Sequence, residues 1–295
     1  MLTHNIDTWG LADVEAAVAA IPEYIISTDW IGPRALVRSL YITGHSNGGQ
    51  GAWHLLTHIP DRIRAAAPVS GYVSIQKYVP YEFSREIDPK ISSIIQGSLS
   101  SCRHELLVEN AKGIPIQQQH GNADDNVPVF HSRRMLQLLK ESGSDPKYHE
   151  IPGKGHWYPG IMGTTPLLDF YQQISQDKNG NTKGLPTQFS FIIPNTGEVI
   201  GPRGGIVVEQ LYSLGQLGRL DVDRISESLW SIKTSNVRRL RIGFYLDIDM
   251  YPEFINIDGT LLEIGVDPLH TTVWLYLDQE SQWKVCVLSI MPVRS

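Results

Sequence analysis

Cysteine is scarce: the 295 residues contain two, Cys102 and Cys286. A pair of thiols excludes a disulfide framework and leaves room for one bridge at most. Long apolar runs are missing as well. Although 41% of the residues are hydrophobic, no stretch approaches the roughly 18–20 consecutive apolar residues that cross a bilayer, so no membrane segment is expected. Clustered positive charge is also absent. Lys and Arg number 25 against 31 Asp and Glu, a net charge of −6, and no basic run exceeds the pairs Arg133-Arg134 and Arg238-Arg239. A nucleic-acid partner depends on such clusters, so none is expected. Residues 1–10 have neither the basic start nor the apolar core of a signal peptide, so nothing in them directs export, and the compartment stays open.

What is present falls into two halves. From about residue 12 to 175, helical periodicity alternates with short apolar runs. Helices are expected near 13–27, where Pro22 is the natural interruption, and at 48–58, 130–141 and 165–175, with strands at 39–43, 65–69, 114–118 and 148–151. A helical excursion fills the gap after 69. Alternation of this kind indicates a parallel sheet covered on both faces. Residues 177–187 are polar and rich in turn formers, as a linker is. Beyond them, β-rich runs recur between turns, at 189–193, 205–209, 229–233, 237–244, 254–257, 272–277 and 283–288. Trp230, Ile232 and Thr234 alternate with Ser231 and Lys233, and Asp258-Gly259 can turn the chain. The tryptophans at 230, 274 and 283 are read as core rather than as a carbohydrate-contacting surface. The expected domains are therefore 1–176 and 188–295, joined by 177–187.

Gly44-His45-Ser46-Asn47-Gly48 matches G-x-S-x-G, with a β-rich run ending before it and a helix beginning within it. A strand-to-helix turn this tight is expected to exclude side chains at its glycines and to present the serine hydroxyl in a strained, exposed position. The Asn47 N–H then faces a developing oxyanion at the helix N-terminus. A phosphate cradle fits less well, since the spacing breaks the dinucleotide fingerprint and no Lys-Ser/Thr follows.

A serine nucleophile needs an imidazole to take its proton and a carboxylate to orient that imidazole. Two strand-end loops downstream offer these in the order Ser, Asp, His. The run at 114–118 leads into His120-Gly121-Asn122-Ala123-Asp124-Asp125, and the run at 148–151 leads into Gly153-Lys154-Gly155-His156-Trp157. Spacing alone leaves Asp124 and Asp125 both open. His45, Asn126 and Trp157 lie beside these groups and are candidates for touching substrate. His54 and His58, at i and i+4, have the spacing of a metal-ligating pair; with no intervening Glu and no evident third ligand they are read as core or surface residues of the helix. No metal and no cofactor are expected.

These segments resemble the serine peptidases of the prolyl oligopeptidase family, whose catalytic domain is an α/β-hydrolase. The resemblance rests on Thr43-Gly44-His45-Ser46-Asn47-Gly48-Gly49-Gln50-Gly51, Ala67-Pro68-Val69-Ser70-Gly71, the loop His120 to Pro128, and Gly153-Lys154-Gly155-His156-Trp157. It implies that Asp124 is the acid, with Asp125 as its alternative, and that the substrate is a peptide or an ester. The segments at Ser235-Asn236-Val237 and Ile257-Asp258-Gly259 resemble a C-terminal β module carried by uncharacterised fungal and bacterial relatives. The expected fold is thus α/β: a partial α/β-hydrolase parallel sheet with helices on both faces, followed by an all-β sandwich-like domain. Strands that normally precede the first helix have no counterpart here, so the hydrolase half is expected to be incomplete at its N-terminus. Its exposed sheet edge offers a route to oligomers. The expected function is serine-type peptidase. The alternatives are a carboxylesterase-type hydrolase and an inactive truncated chain that acts as a binding module.

Overall fold

Short apolar runs separated by amphipathic helices pair side by side in the first half of the chain. The computed structural model describes residues 10–32, 35, 37, 39–79, 88–176, 185–196, 200–243, 252–264 and 271–289. By packing, the chain divides into one unit made of residues 1–84 and 102–184, and another made of 85–101 and 185–295.

In the first unit, β1 (Leu40–His45), β2 (Ile63–Val69), β3 (Gln117–Gly121) and β4 (Lys147–Ile151) form a parallel sheet in the order β1-β2-β3-β4. Consecutive residues of β2 divide the core. Ala66 packs with Trp53, Leu55 and Leu56 of α2 (Asn47–His58) and with Met135 and Leu139 of α5 (Phe130–Glu141). On the opposite face, Ala65 and Ala67 pack with Leu167, Phe170 and Ile174 of α6 (Thr165–Gln176). Period-two alternation in strands and 3.6-residue periodicity in helices produce this two-sided burial. The parallel sheet has helices on both faces, as expected for a partial α/β-hydrolase sheet. Helix α1 (Leu11–Ser27) runs through Pro22 rather than stopping there. A proline within a helix removes one backbone bond, and here the helix is largely solvent-facing, with Leu11 its buried contact.

Strand β3 starts at Gln117, later than the apolar run suggests. Pro115 has no N–H for a ladder, although its carbonyl accepts from the Ala66 N–H at 3.0 Å, and Ile116 forms an isolated bridge with Ala66. The helical excursion after β2 resolves into α3 (Ile75–Tyr78), α4 (Pro89–Ser98) and short helical turns at 100–102, 104–106 and 108–111.

The second unit is a sandwich. One sheet has the order β11-β10-β8-β7-β5 and the other β13-β12-β9-β6. The strands are β5 (Gln188–Ile193), β6 (Ile206–Leu211), β7 (Gly218–Arg224), β8 (Leu229–Ser235), β9 (Val237–Gly243), β10 (Phe254–Ile257), β11 (Thr260–Glu263), β12 (Thr271–Leu277) and β13 (Trp283–Ser289). Trp230, Phe191, Leu220, Ile232, Leu240, Ile257 and Leu275 belong to its hydrophobic core. Two strands, β7 and β11, were not evident from the sequence. Residues 85–101, which the sequence reading assigns to the first domain, pack with this second unit; a Cβ on Gly97 would come within 3.1 Å of Gly215. Neither cysteine is in a disulfide. Among the described residues, no helix is long and apolar enough to cross a membrane.

Candidate active site

The first strand-to-helix turn holds Ser46 at φ 59° and ψ −118°, between β1 and α2. A non-glycine residue at positive φ is uncommon and strained, and it persists where surrounding bonds fix it. The Ser46 N–H donates to the Val69 carbonyl at 3.0 Å, and the Ser46 carbonyl accepts from the Gln50 N–H at 2.9 Å. The crowding that requires glycine falls at two positions. A Cβ on Gly44 would lie 2.2 Å from the Gly48 carbonyl oxygen, and one on Gly49 would lie 2.5 Å from that of Val69. At Gly48 a Cβ would meet nothing within 4 Å. Of the two motif glycines, only Gly44 is therefore sterically required, and Gly49, just outside the motif, is the second crowded position.

The ends of β3 and β4 supply the remaining groups. His156 Nε2 is 2.9 Å from Ser46 Oγ, and its Nδ1 is 2.8 Å from Asp124 Oδ2. An ionised carboxylate can only accept, so Nδ1 carries the proton and Nε2 accepts the serine hydroxyl. Asp124 Oδ1 accepts from the backbone N–H groups of Asn126 (3.0 Å) and Val127 (2.8 Å). Asp124 and His156 are buried, whereas Asp125 in the same loop is exposed. Gly121 allows the two loops to meet: the Ala123 N–H donates to the Lys154 carbonyl at 3.0 Å, directly beside the place where a Gly121 Cβ would stand.

The remaining sequence candidates occupy distinct places. The half-buried His45 donates from Nε2 to the His156 carbonyl at 3.0 Å, and its ring centroid lies 4.7 Å from that of His156. Burial and the neighbouring His156 lower its pKa. Trp157 is 73% exposed and stands edge-on to His45, with centroids 4.4 Å apart. Asn47 opens α2, where the first backbone N–H groups of a helix have no intrahelical acceptor. Its Oδ1 accepts from the Tyr72 hydroxyl at 3.3 Å. Asn126 Oδ1 accepts from the Tyr78 hydroxyl at 2.6 Å, and the two tyrosine rings stack at 4.6 Å.

His120, Tyr72 and Tyr78 had no assigned place in the sequence reading. His120 is wholly buried; its Nε2 donates to the Val127 carbonyl at 2.8 Å and lies 3.2 Å from Asp124 Oδ2, while Nδ1 accepts from Ser132 Oγ at 2.7 Å. Burial depresses its pKa. It therefore braces the acid loop as a neutral donor. Its position four residues before Asp124 was the available signal. Nothing in the sequence distinguished the tyrosines, which come from the segment after β2.

His54 and His58 are buried on α2 with ring centroids 3.8 Å apart, and a third buried imidazole, His104, lies against them. Burial lowers His54 well below its ordinary pKa, His58 to about 4 and His104 to about 3, so all three are neutral at neutral pH.

Residues 4–178 match the family described as the prolyl oligopeptidase family. A protein of Arthroderma benhamiae, described as an uncharacterized secreted protein, is 43% identical over 279 residues, which is 94% of this chain and 30% of that protein. The chain thus spans about a third of the length of this curated relative. Among solved structures, a Mycobacterium tuberculosis puromycin-hydrolyzing peptidase is 20% identical, with a TM-score of 0.41 over 60% of this chain and 26% of that one. Acylaminoacyl peptidase from Pyrococcus horikoshii is 16% identical, with a TM-score of 0.40 over 54% of this chain and 27% of that one.

Proposed function

The chain belongs to the prolyl oligopeptidase family, and from that premise we propose that it is a serine hydrolase acting on peptide substrates through an acyl-enzyme. The observation that carries this reading is the hydrogen-bonded series Ser46, His156, Asp124, at 2.9 Å and 2.8 Å, beginning at a serine with positive φ.

The mechanism follows from the proton positions. Ser46 Oγ attacks the carbonyl carbon of the substrate while His156 Nε2 takes the hydroxyl proton. Asp124 holds the Nδ1–H and stabilises the imidazolium that results. Negative charge gathers on the former carbonyl oxygen, and the Asn47 N–H at the start of α2 is the donor poised for it. His156 then returns the proton to the leaving amine, the acyl group remains on Ser46, and water releases it by the same steps in reverse roles. His45 acts on the base from behind, fixing the backbone of His156 rather than meeting the scissile bond. Trp157, exposed beside the base, is the side chain placed to lie against substrate. The acid is Asp124 rather than Asp125, because Asp124 is buried against His156 Nδ1 whereas Asp125 is exposed. Peptide is favoured over ester by family membership, since the triad itself serves both.

A fluorophosphonate probe is expected to label the wild-type chain and leave Ser46→Ala unlabelled; equal labelling of both would remove Ser46 as the nucleophile. Turnover of aminoacyl anilides compared with short acyl esters separates the peptidase and esterase readings. On whichever substrate is turned over, Asp124→Asn is expected to lower kcat by about 10³–10⁴-fold, and Asp125→Asn to leave it within about twofold of wild type. The reverse ranking would reassign the acid.

A further inference from the structure

The geometry points to a zinc site inside the first unit, formed by His54, His58 and His104, that ties the helix behind Ser46 to the segment at 104–111. Nothing in the reaction derived above uses these residues. Each is at most 1% exposed, and their ligating nitrogens all lie within 4.8 Å of one another. His54 and His58 stand one turn apart on α2, as metal-ligating pairs on helices do. The missing third ligand, which the helix itself does not contain, arrives from a different part of the chain.

The hydrogen bonds determine where the lone pairs are. His58 Nδ1 is 2.9 Å from the His54 carbonyl oxygen. A carbonyl can only accept, so Nδ1 is protonated and Nε2 carries the lone pair. That Nε2 is buried and has no hydrogen-bond partner among the described residues. An imidazole whose remote N–H is held by a backbone carbonyl is the arrangement that orients histidine toward a metal. His104 Nε2 is 3.0 Å from the side-chain amide nitrogen of Gln50, also on α2. Amide nitrogen and oxygen can exchange places by a half-turn. With the amide turned so that its oxygen accepts, His104 Nε2 is the protonated atom and its lone pair lies on Nδ1. That Nδ1 likewise has no partner among the described residues. Packed only as rings, these imidazoles leave at least one lone pair buried without a donor, which costs about 1–3 kcal/mol; a cation removes that cost.

The donor set selects the ion. Neutral imidazoles without a carboxylate suit a metal of borderline softness, and three of them make up the protein share of a tetrahedral zinc site. Tetrahedral zinc–nitrogen bonds of about 2.0–2.1 Å place the nitrogens about 3.3 Å apart, so the rings must close from a spacing of up to 4.8 Å. Because α2 begins at Asn47, immediately after Ser46, an ion here would anchor that helix from its far end. The Asn110 side chain, donating to the Thr57 carbonyl at 2.9 Å, already joins the same two segments.

The test uses the full chain, stripped with chelator, dialysed and titrated with zinc chloride by calorimetry. About one zinc per chain is expected, with affinity reduced at least about 100-fold in His58→Gln and in His104→Gln and unchanged in His156→Gln. No binding by wild type overturns the proposal, as does binding that survives in His58→Gln and disappears in His156→Gln. If the ligand variants do not fold, cobalt(II) loaded into wild type and into His156→Gln decides the matter. Intense visible bands of a four-coordinate nitrogen site in both proteins support the assignment, and the weak spectrum of six-coordinate cobalt in either overturns it.

Discussion

His131 sits wholly buried near the start of α5, and its Nδ1 accepts from the Val73 N–H at 3.4 Å. Burial, followed by the neighbouring His120 and Lys77, lowers its pKa from the ordinary 6.5 to about 4. The folded state therefore keeps it neutral where the unfolded chain takes up a proton. This contribution is fully present above pH 6.5, declines as pH falls below it, and is lost on passing through about 4. Denaturant midpoints measured between pH 7 and pH 4 are expected to fall more steeply for wild type than for His131→Gln; parallel curves would show that the group does not matter. Residues differed in how legible they were. Ser46 and His156 stand in loops whose glycine patterns are distinctive. Asp124 and Asp125 share a loop and every local feature except the direction they face, which depends on which one receives the Asn126 and Val127 amides. His104 could not be paired with His54 and His58 from sequence, because only the tertiary fold makes them neighbours.

Helices and strands on either side of the site were readable wherever one period dominated, as in α5, and blurred where chemistry intervened, as at Pro115 before β3. β7 escaped notice because Arg219, Asp221 and Asp223 occupy its outward positions and leave only Leu220 and Val222 to carry the apolar alternation. β11 is four residues long, too short for a period to register. Backbone approach was the least visible feature. The G-x-S-x-G pattern suggests that both its glycines are forced, yet the crowded positions are Gly44 and Gly49. The same reasoning applies at the end of β3, where a Cβ on Gly121 would stand 2.3 Å from the Lys154 carbonyl oxygen. Gly121→Ala is expected to destabilise the chain by about 1–3 kcal/mol and to slow fluorophosphonate labelling of Ser46 in chains that remain folded. Gly48→Ala, where a Cβ meets open space, is expected to leave the urea midpoint unchanged or raise it.

At the scale of the molecule, two cores lie along one chain, and the division does not follow sequence order, since residues 85–101 leave the first unit and pack with the second. Composition could locate the polar stretch before Leu185 but had no means of revealing that excursion. Trp230 is 1% exposed at the centre of the sandwich core. Trp230→Ala is expected to cost about 3–5 kcal/mol and to lower a calorimetric transition belonging to the second unit, while the transition of the first unit and the labelling of Ser46 persist. A single transition shifted as a whole would show that the two cores unfold together. The bond between Ser46 and His156 spans 110 positions of sequence and closes only when all four strands of the parallel sheet are in place. Loop closure over such a distance is slow compared with helix formation. A refolding chain is therefore expected to regain its helical signal well before fluorophosphonate labelling at Ser46, and labelling that returned together with the helical signal would refute that order.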